Sequence, residues 1–448
     1  MVPPSRFQAA PRTAHRIAQR FRAPRKLCLL VLFVSTAALA VSSFAPQLRL
    51  GYRTGDQWEP AIAADGHGHL YVLYPQYGAV PDCPACTAPT IALTISSDNG
   101  ATWQPSKALL PFPTGQFDPQ IAVDPVDRQT VYASWLQNEK RDIIVARSLD
   151  FGRNWTYSWA DRGLEDADKP VLAVRGPNVY AGFNHEGEFF VAASHDAGQT
   201  FGVVRVNPNA APGWALAGGA TVDPAGSVYF GWTAYARQEV STRPVSVFVS
   251  RSADGGRTWS TALLDLSSAP PECDEQSCQT GYLGAQIALA SDAPGALYAL
   301  WNSGLTNGGP ESIYFSSSTT GGASWSTRTN VSTASDGVEH AFPAIVAGAS
   351  GDVRIAWMDA RAREPGDPDH RLWNTYFRSS TNGGATWSAV TRLSSPARGY
   401  DYILPRGFRF PFGDYFGLAI DSDGATHAVW GEGRNYKSPG SIWYARGR

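Results

Sequence analysis

The chain has 448 residues with 44 glycines, 32 prolines and 15 tryptophans, and aromatic residues make up 12% of it. Charged residues account for only 17%, and such a composition favours short strands and tight turns over long helices. The formal net charge of −2 gives no electrostatic basis for binding nucleic acid, so nucleic acid is excluded as an expected partner. The composition therefore predicts a large all-β protein.

The N-terminal residues differ from the rest of the chain. Residues 1–26 are basic, and residues 27–45 form the apolar run LCLLVLFVSTAALAVSSFA. The basic flank and the small residues at Ala38-Leu39-Ala40 favour a cleaved export signal. The run is also long enough to cross a bilayer once, so a retained membrane anchor is the alternative. In both cases we expect residues 46–448 to be extracytoplasmic, with membrane contact only through the N-terminal segment.

Four cysteines form two close pairs, Cys83 with Cys86 and Cys273 with Cys278. In an oxidising compartment these spacings predict two local disulfides that staple loops. A zinc site is the alternative, because C-x2-C is a common ligand spacing. The second pair is C-x4-C and neither loop contains histidine, so we expect no metal and no cofactor.

One eight-residue motif follows the pattern S-x-D-x-G-x-[TSN]-[WF]. Its six copies are SSDNGATW (96–103), SLDFGRNW (148–155), SHDAGQTF (194–201), SADGGRTW (252–259), STTGGASW (318–325) and STNGGATW (380–387). The serine and aspartate side chains can accept or donate hydrogen bonds within a tight turn, and glycine supplies the positive φ. The final aromatic residue begins the next strand and offers a large apolar surface for burial.

The segments around each motif also repeat, and they predict three short strands before the motif and a weaker fourth strand after it. Four antiparallel strands repeated in this way describe the blade of a β-propeller. A seventh unit at residues 417–446 lacks the motif and a fourth strand. We expect residues 45–51 to supply that strand and close the ring, which gives seven blades. Six blades with a decorated tail is the alternative.

The six motifs resemble the Asp-box (BNR) repeats of the sialidase superfamily, and with their flanking strands they cover nearly all of residues 50–448. The resemblance implies a propeller whose motifs lie between the third and fourth strands, on the face opposite the active site. It also implies an arginine clamp for a carboxylate ligand, a tyrosine–glutamate nucleophile and an aspartate acid/base. The Arg-Ile-Pro motif of sialidases is absent, since the matching segments read WEPAI (58–62) and FDPQI (117–121).

The face opposite the motifs is predicted to carry many ionisable groups, which come from the loops before the first strands and between the second and third strands. These residues are Asp56, Glu59, Asp118, Glu139, Asp168, Lys169, His185, Glu186, Arg237, Glu339, His340, Asp359, Arg361, Arg363, Asp414, Glu432 and Arg434. A 23-residue connection at 394–416, rich in tyrosine and arginine, is predicted to form a packed lid over this mouth.

Two neighbouring blades share a pattern at the end of the second strand, WMDAR (357–361) and WGEGR (430–434). We therefore expect the carboxylates and arginines of these segments to lie close together, either as interblade ion pairs or as a ligand site. The candidate catalytic residues are Asp359, Glu432 and Tyr415. The candidate ligand-binding residues are Arg361, Arg434, Arg406, Trp357, Trp430 and Tyr402. By the resemblance, Tyr402 is an alternative nucleophile, and Asp56 or Asp118 an alternative acid.

The sequence thus predicts an exported, monomeric, sialidase-like propeller that binds a carbohydrate or glycoconjugate. A glycoside hydrolase, acting on sialic acid or another polysaccharide, is the alternative, and a lyase or other chemistry is a third. Carboxylates 5–9 Å apart across an open mouth would favour hydrolysis, whereas carboxylates each held by an arginine would favour binding.

Overall fold

The computed structural model describes residues 43–161, 163–207, 213–236, 243–270, 284–335, 337–364, 367–395, 397–398, 413, 415–432 and 440–448. Cys273, Cys278, Tyr402, Arg406, Arg434 and most of the predicted export segment lie outside these residues. The described residues all belong to one compact unit, Ala40–Arg448. In that part of the chain every regular element is a β-strand, and it contains no helix with the length and apolar character needed to cross a membrane.

The strands form seven antiparallel sheets, which are the seven predicted blades. The first, innermost strands are Ala61–Ala64 with the short Asp56–Gln57, Phe117–Val123, Ala167–Arg175, Trp214–Val222, Ile287–Ser291, His340–Ala347 and Gly417–Ile420. The second strands are Leu70–Tyr77, Val131–Gln137, Asn178–His185, Val228–Tyr235, Leu297–Gly304, Val353–Glu364 and Thr426–Glu432.

The third strands are Thr90–Ser96, Asp142–Ser148, Glu188–Ser194, Val245–Ser252, Glu311–Ser318, Asp367–Ser380 and Ser441–Gly447. The fourth, outer strands of blades 1 to 6 are Lys107–Ala108, Thr156–Trp159, Gly202–Arg205, Ser260–Ser267, Thr329–Asn330 and Thr391–Arg392. In blade 6 a further short strand, Ala397–Arg398, also pairs with the third strand.

The N-terminal strand Leu48–Arg49 completes blade 7. It pairs antiparallel with the last strand of the chain, with Leu48 opposite Tyr444 and Arg49 opposite Trp443. This is the closure that the two unpaired terminal segments predict. Because the strand covers the outer edge of Ser441–Gly447, the ring closes without leaving that edge exposed.

A separate hydrophobic core fills each of the seven junctions between neighbouring blades. The second strands are almost entirely buried, because both of their faces pack against other blades. Their aromatic residues provide much of the buried volume. The fully buried tryptophans of these strands are Trp135, Trp232, Trp301, Trp357 and Trp430. Large apolar side chains on both faces are the reason why these segments read as continuous hydrophobic runs.

The repeated motif forms the turn between the third and fourth strands in blades 1 to 6. In the first copy, Gly100 N donates to Ser96 Oγ at 2.9 Å, and Thr102 N donates to Asp98 Oδ1 at 2.8 Å. The same bonds recur in the other copies, with Thr320 and Asn382 replacing the aspartate in the fifth and sixth. All these polar groups are used within the turn, so the motif acts as scaffold.

Candidate functional site

The predicted pair in blade 6 is a locked ion pair. Asp359 is fully buried, and Arg361 Nε donates to its Oδ1 at 2.8 Å and to its Oδ2 at 3.0 Å. Trp357 Nε1 also donates to Asp359 Oδ2, at 2.9 Å. The guanidinium of Arg361 lies 4.1 Å from the ring centre of Tyr376. The carboxylate is therefore saturated by its own blade.

The tryptophan–carboxylate pattern is a structural device that more than two blades use. Trp430 Nε1 donates to Glu432 Oε2 at 2.7 Å, which repeats the contact of blade 6. In blade 2, Trp135 Nε1 makes the same contact with Gln137 Oε1 at 2.9 Å. Residues two apart on a strand lie on the same face, so each indole finds its acceptor locally. A neutral amide serves equally well, which indicates that the contact satisfies a buried N–H group.

The two predicted tryptophan–carboxylate segments contribute to different interblade cores. Trp357 belongs to the core between blades 5 and 6, whereas Trp430 belongs to the core between blades 6 and 7. Blade 6 therefore separates them, and packed sheets are about 10 Å apart. Arg434, Arg406 and Tyr402 lie outside the described residues, as does most of the predicted lid.

A second buried acidic group is linked to Asp359 through His340, whose Nδ1 lies 2.8 Å from Glu311 O and whose Nε2 lies 3.7 Å from Asp359 Oδ2. Glu311 accepts hydrogen bonds from Asn302 Nδ2 and from Ser267 Oγ, and its own backbone N donates to Glu339 Oε2 at 3.1 Å. Burial, followed by the negative charge of Glu339, raises the pKa of Glu311 well above its usual value. Glu311 is fully buried and Glu339 is 6% exposed, and both use their oxygens or backbone within the junction between blades 5 and 6.

Each blade has one equivalent position at the mouth end of its innermost strand, and we call the seven equivalent positions the ring. The strand register defines this position. In each blade one inner-strand residue pairs with an equivalent residue of the second strand, and the ring position is two residues earlier in the sequence. The second-strand residues used for this alignment are Leu73, Ser134, Gly182, Gly231, Leu300, Ala356 and Val429. In chain order its occupants are Glu59, Asp118, Lys169, Ala217, Gln286, Phe342 and Tyr415. The ring is therefore charged in blades 1 to 3, small in blade 4, polar in blades 5 and 7, and apolar in blade 6.

Four of these ring residues are held in the left-handed backbone region. The φ angles are 51° for Glu59, 51° for Asp118, 50° for Lys169 and 56° for Phe342, and a proline follows each of them. Such conformations cost free energy in residues other than glycine, and they concentrate at functional sites. The sequence Xaa-Pro before a buried strand is the signal that could have singled out these residues.

The three charged ring residues converge on one another. Lys169 Nζ lies 3.8 Å from Glu59 Oε1 and 4.0 Å from Asp118 Oδ2. These two carboxylate oxygens are therefore no more than 7.8 Å apart, the sum of the two distances. The side chains of both acids are more than nine-tenths buried, and Asp118 Oδ2 accepts no hydrogen bond from the described residues.

Tyr415, predicted as a catalytic residue, does lie in the mouth. Lys169 Nζ is 5.5 Å from the centre of its ring, and its hydroxyl donates to the carbonyl of Pro119 at 3.2 Å. Because Tyr415 belongs to blade 7 and these partners to blades 3 and 2, the side chains span the channel. We call Glu59, Asp118, Lys169 and Tyr415 the mouth cluster.

A strained turn adds a second lysine at the edge of the mouth cluster. Asn138, Glu139 and Lys140 are three successive residues with left-handed φ angles of 55°, 58° and 69°. Glu139 Oε1 accepts a hydrogen bond from Gly115 N at 2.9 Å, and Lys140 Nζ donates to Asp168 Oδ1 at 3.1 Å. The turn thus directs Lys140 towards Asp168 of blade 3, and Asp168 directly precedes Lys169 in the sequence.

Beneath the mouth cluster the channel forms a cavity of about 240 Å³. Its polar lining comes from Lys169, Gln286, Gln120 and Tyr415, and in blade 4 the adjacent Ala217-Gly218-Gly219 leaves the wall free of bulky side chains. Below the cavity the channel continues into a wider funnel of about 820 Å³ that opens on the motif face. An apolar collar lies between the cavity and the funnel and lines both of them. The collar residues are Ile62, Leu172, Ala220, Leu289, Ile345 and Leu418.

Cys83 and Cys86 form a disulfide in the loop between the second and third strands of blade 1. This loop lies on the mouth side of the propeller. Within the described ranges, no group of three or more histidine, cysteine, aspartate or glutamate side chains could hold a metal ion.

Comparison with known proteins supports the fold. A protein from Dyadobacter fermentans, described as of unknown function, matches with a TM-score of 0.51 and 14% identity, over 92% of this chain and 100% of that one. A leech intramolecular trans-sialidase matches with a TM-score of 0.47 and 12% identity, over 91% and 70%. An ulvan lyase of a polysaccharide lyase family has a TM-score of 0.47 and 13% identity, over 89% and 95%.

No protein-family model and no curated protein sequence matches the chain. At these identities the structural likeness is one of fold alone. The predicted architecture, an all-β propeller with seven blades, is confirmed.

Proposed function

We propose that the protein is an exported carbohydrate-binding propeller and that its ligand enters the mouth cluster. The observation that carries this proposal is the ring of Glu59, Asp118 and Lys169. These are three strained, charged residues at equivalent positions of adjacent blades. The scaffold needs no charge there, because blade 4 has Ala217 and blade 6 has Phe342 at the same position.

The chemistry of the cavity suits a polyhydroxylated ligand. Carboxylate oxygens accept hydrogen bonds from hydroxyl groups, and the lysine ammonium and the glutamine amide donate them. Tyr415 adds an aromatic ring that can stack on the apolar face of a sugar. A cavity of about 240 Å³ next to a small-residue wall is suited to the end of a glycan chain. The resemblance of the six motifs to those of sialidases supports the same ligand class.

Binding without hydrolysis is favoured by the state of the carboxylates. Asp359 is held by Arg361, Asp168 by Lys140, and Glu59 and Asp118 both lie against Lys169. A carboxylate that acts on a glycosidic bond must be able to contact the substrate, and a cationic side chain already occupies these carboxylates. These pairs therefore favour a recognition site.

A glycoside hydrolase is the second candidate, and one distance supports it. The Glu59 and Asp118 oxygens lie no more than 7.8 Å apart, within the range for carboxylate pairs that cleave glycosidic bonds. Hydrolysis would require Lys169 to move away from one of them.

Export is proposed from residues 1–45, and N-terminal sequencing of protein recovered outside the cytoplasm would distinguish cleavage from anchoring.

The experiment compares full-length variants on a glycan array, followed by calorimetry on the strongest hit. Gln286→Leu removes a polar group from the cavity wall, and its side chain makes no hydrogen bond to the described residues. We expect it to weaken binding about fivefold, the equivalent of one hydrogen bond of about 1 kcal/mol. Lys169→Met should weaken binding further, and thermal melts will show whether it still folds.

The matched control is Gln199→Leu, which removes an exposed glutamine from a motif turn on the opposite face. It should bind like the parent. Normal binding by Gln286→Leu and Lys169→Met together would place the site elsewhere. Turnover of fluorogenic glycosides that disappears in Glu59→Gln or Asp118→Asn would establish the hydrolase instead.

A further inference from the structure

The disulfide between Cys83 and Cys86 closes a turn that the backbone already closes. Cys86 N donates to Cys83 O at 3.1 Å, and the two Cα atoms are 5.4 Å apart. A disulfide stabilises mainly by restricting the unfolded chain, and more so when it spans a long loop. Here the separation is only three residues, so the bond restricts the unfolded chain less than a disulfide across a long loop would.

The same disulfide is open to reagents. Both cysteines are partly exposed, and Pro84 and Ala85 between them are exposed. The C-x-x-C spacing is that of dithiols that exchange readily. A bond that is accessible and that closes a turn already closed by the backbone points to a chemical role.

We propose that Cys83 and Cys86 form a thiol–disulfide exchange site whose reaction partner is a dithiol. A thiolate of the partner attacks one sulfur, the bond between the cysteines breaks, and a mixed disulfide forms while the other cysteine leaves as a thiolate. The second thiolate of the partner then displaces the protein sulfur. The partner leaves as a disulfide, and the protein has gained two electrons and two protons as two thiols.

The loop that carries this site contacts the mouth at both ends. At its start, the ring of Tyr77 stacks on Trp58 at 4.0 Å and meets Phe117 edge-on at 6.3 Å. These two residues directly precede the two acids of the mouth cluster. At its end, Pro89 O accepts a hydrogen bond from Gln116 N at 2.8 Å. Reduction is therefore expected to loosen the loop between these two anchor points, next to the ligand site.

The test is redox titration of the native full-length protein with dithiothreitol and its oxidised form. Free thiols are trapped with N-ethylmaleimide, and the tryptic peptide of residues 54–107, whose only cysteines are Cys83 and Cys86, is weighed. We expect this peptide to gain two labels together, at ratios that leave the thermal melt unchanged. Hydrogen exchange should rise in residues 78–89 and stay constant in the motif turns. A disulfide that resists reduction until urea unfolds the protein would overturn the proposal.

Two variants separate exchange from stapling. Cys83→Ser leaves Cys86 without its partner, and treatment with glutathione disulfide should give one mixed disulfide on that residue. Absence of the adduct would contradict exchange. The double variant Cys83→Ala/Cys86→Ala should melt within about 2 °C of the parent, because the turn keeps its backbone hydrogen bond. A much lower melting temperature would identify a structural staple and overturn the proposal.

Discussion

At the residue scale, Arg361 compensates a carboxylate that has no access to solvent. Asp359 is fully buried and takes hydrogen bonds from Arg361 and Trp357. Breaking such a pair by removing one partner leaves an uncompensated buried charge. Its energetic effect should therefore appear in folding and not in ligand recognition.

Arg361→Ala is expected to destabilise the protein by about 3 kcal/mol, the usual cost of leaving a buried carboxylate unpaired. Ligand affinity per folded molecule should stay at the parental value. Denaturant unfolding and calorimetry measure the two effects separately. Arg205→Ala, which breaks an exposed ion pair with Glu188, is the control and should cost less than about 1 kcal/mol. If Arg361→Ala abolished binding without lowering stability, Asp359 and Arg361 would belong to the ligand site after all.

Residue identities alone could not distinguish the charged residues of a buried structural ion pair from the charged residues of the mouth cluster. The sequence places a carboxylate two residues from an arginine in both blade 6 and blade 7, and it suggests one shared site. Which face of the strand these groups occupy decides the matter, and the two tryptophans turn out to lie in different cores. In contrast, Glu59, Asp118 and Lys169 are distinguished by a left-handed backbone conformation, which the amino-acid composition does not reveal.

At the element scale, the motif turn is the best understood unit of the molecule, because each position has a visible hydrogen-bonding role. In the first copy Asp98 uses both oxygens, accepting from Thr102 N at 2.8 Å and from Thr102 Oγ1 at 2.6 Å. In the fifth copy Thr320 has a single oxygen, which serves Ser324 N at 2.9 Å and contacts Ser324 Oγ at 2.9 Å. The fifth turn therefore relies on one uncharged hydroxyl where the first turn has the two oxygens of a charged carboxylate.

Thr320→Asp is expected to stabilise the protein by about 1 kcal/mol because a charged carboxylate accepts stronger hydrogen bonds than a hydroxyl, seen as a rise of about 1–2 °C in the melting temperature. The hydrogen bonds from Thr102 lower the pKa of Asp98 to about 2, and the new aspartate should behave in the same way. A lowered pKa stabilises the fold above the unfolded value, so the gain should be lost as the pH falls from about 4 towards 2. Thr320→Ala is the control and should lower the melting temperature. An unchanged melt for Thr320→Asp at pH 7 would show that the turn chemistry is misjudged.

Strands and turns were predictable because their signals are local. Four short strands per unit and the position of the motif turn follow from patterns within a few tens of residues, and the closure by Leu48–Arg49 follows from counting the strands of the repeat. The bulges at the mouth were not predictable in the same way. There the inner strands slip in register, between Phe117 and Gln120 for example, and a pair of residues faces a single residue of the second strand.

At the scale of the whole molecule, the near-sevenfold ring makes every departure from symmetry informative. Equivalent positions have the same structural role in every blade. A residue that differs from its counterparts is therefore not required by the fold and can have a separate function. The ring of the mouth shows this most clearly, since its occupants range from Lys169 through Ala217 to Phe342. The cavity, the small wall of blade 4 and the three strained charges all lie at this end of the channel.

The most direct test of the central claim is the position of a bound glycan in a crystal structure of the complex. We expect the terminal sugar to lie in the cavity against Ala217-Gly218-Gly219, with hydrogen bonds to Lys169, Gln286 and at least one of the mouth carboxylates. A glycan bound instead beside Arg361 and Glu432, or on the face that carries the motif turns, would contradict the account.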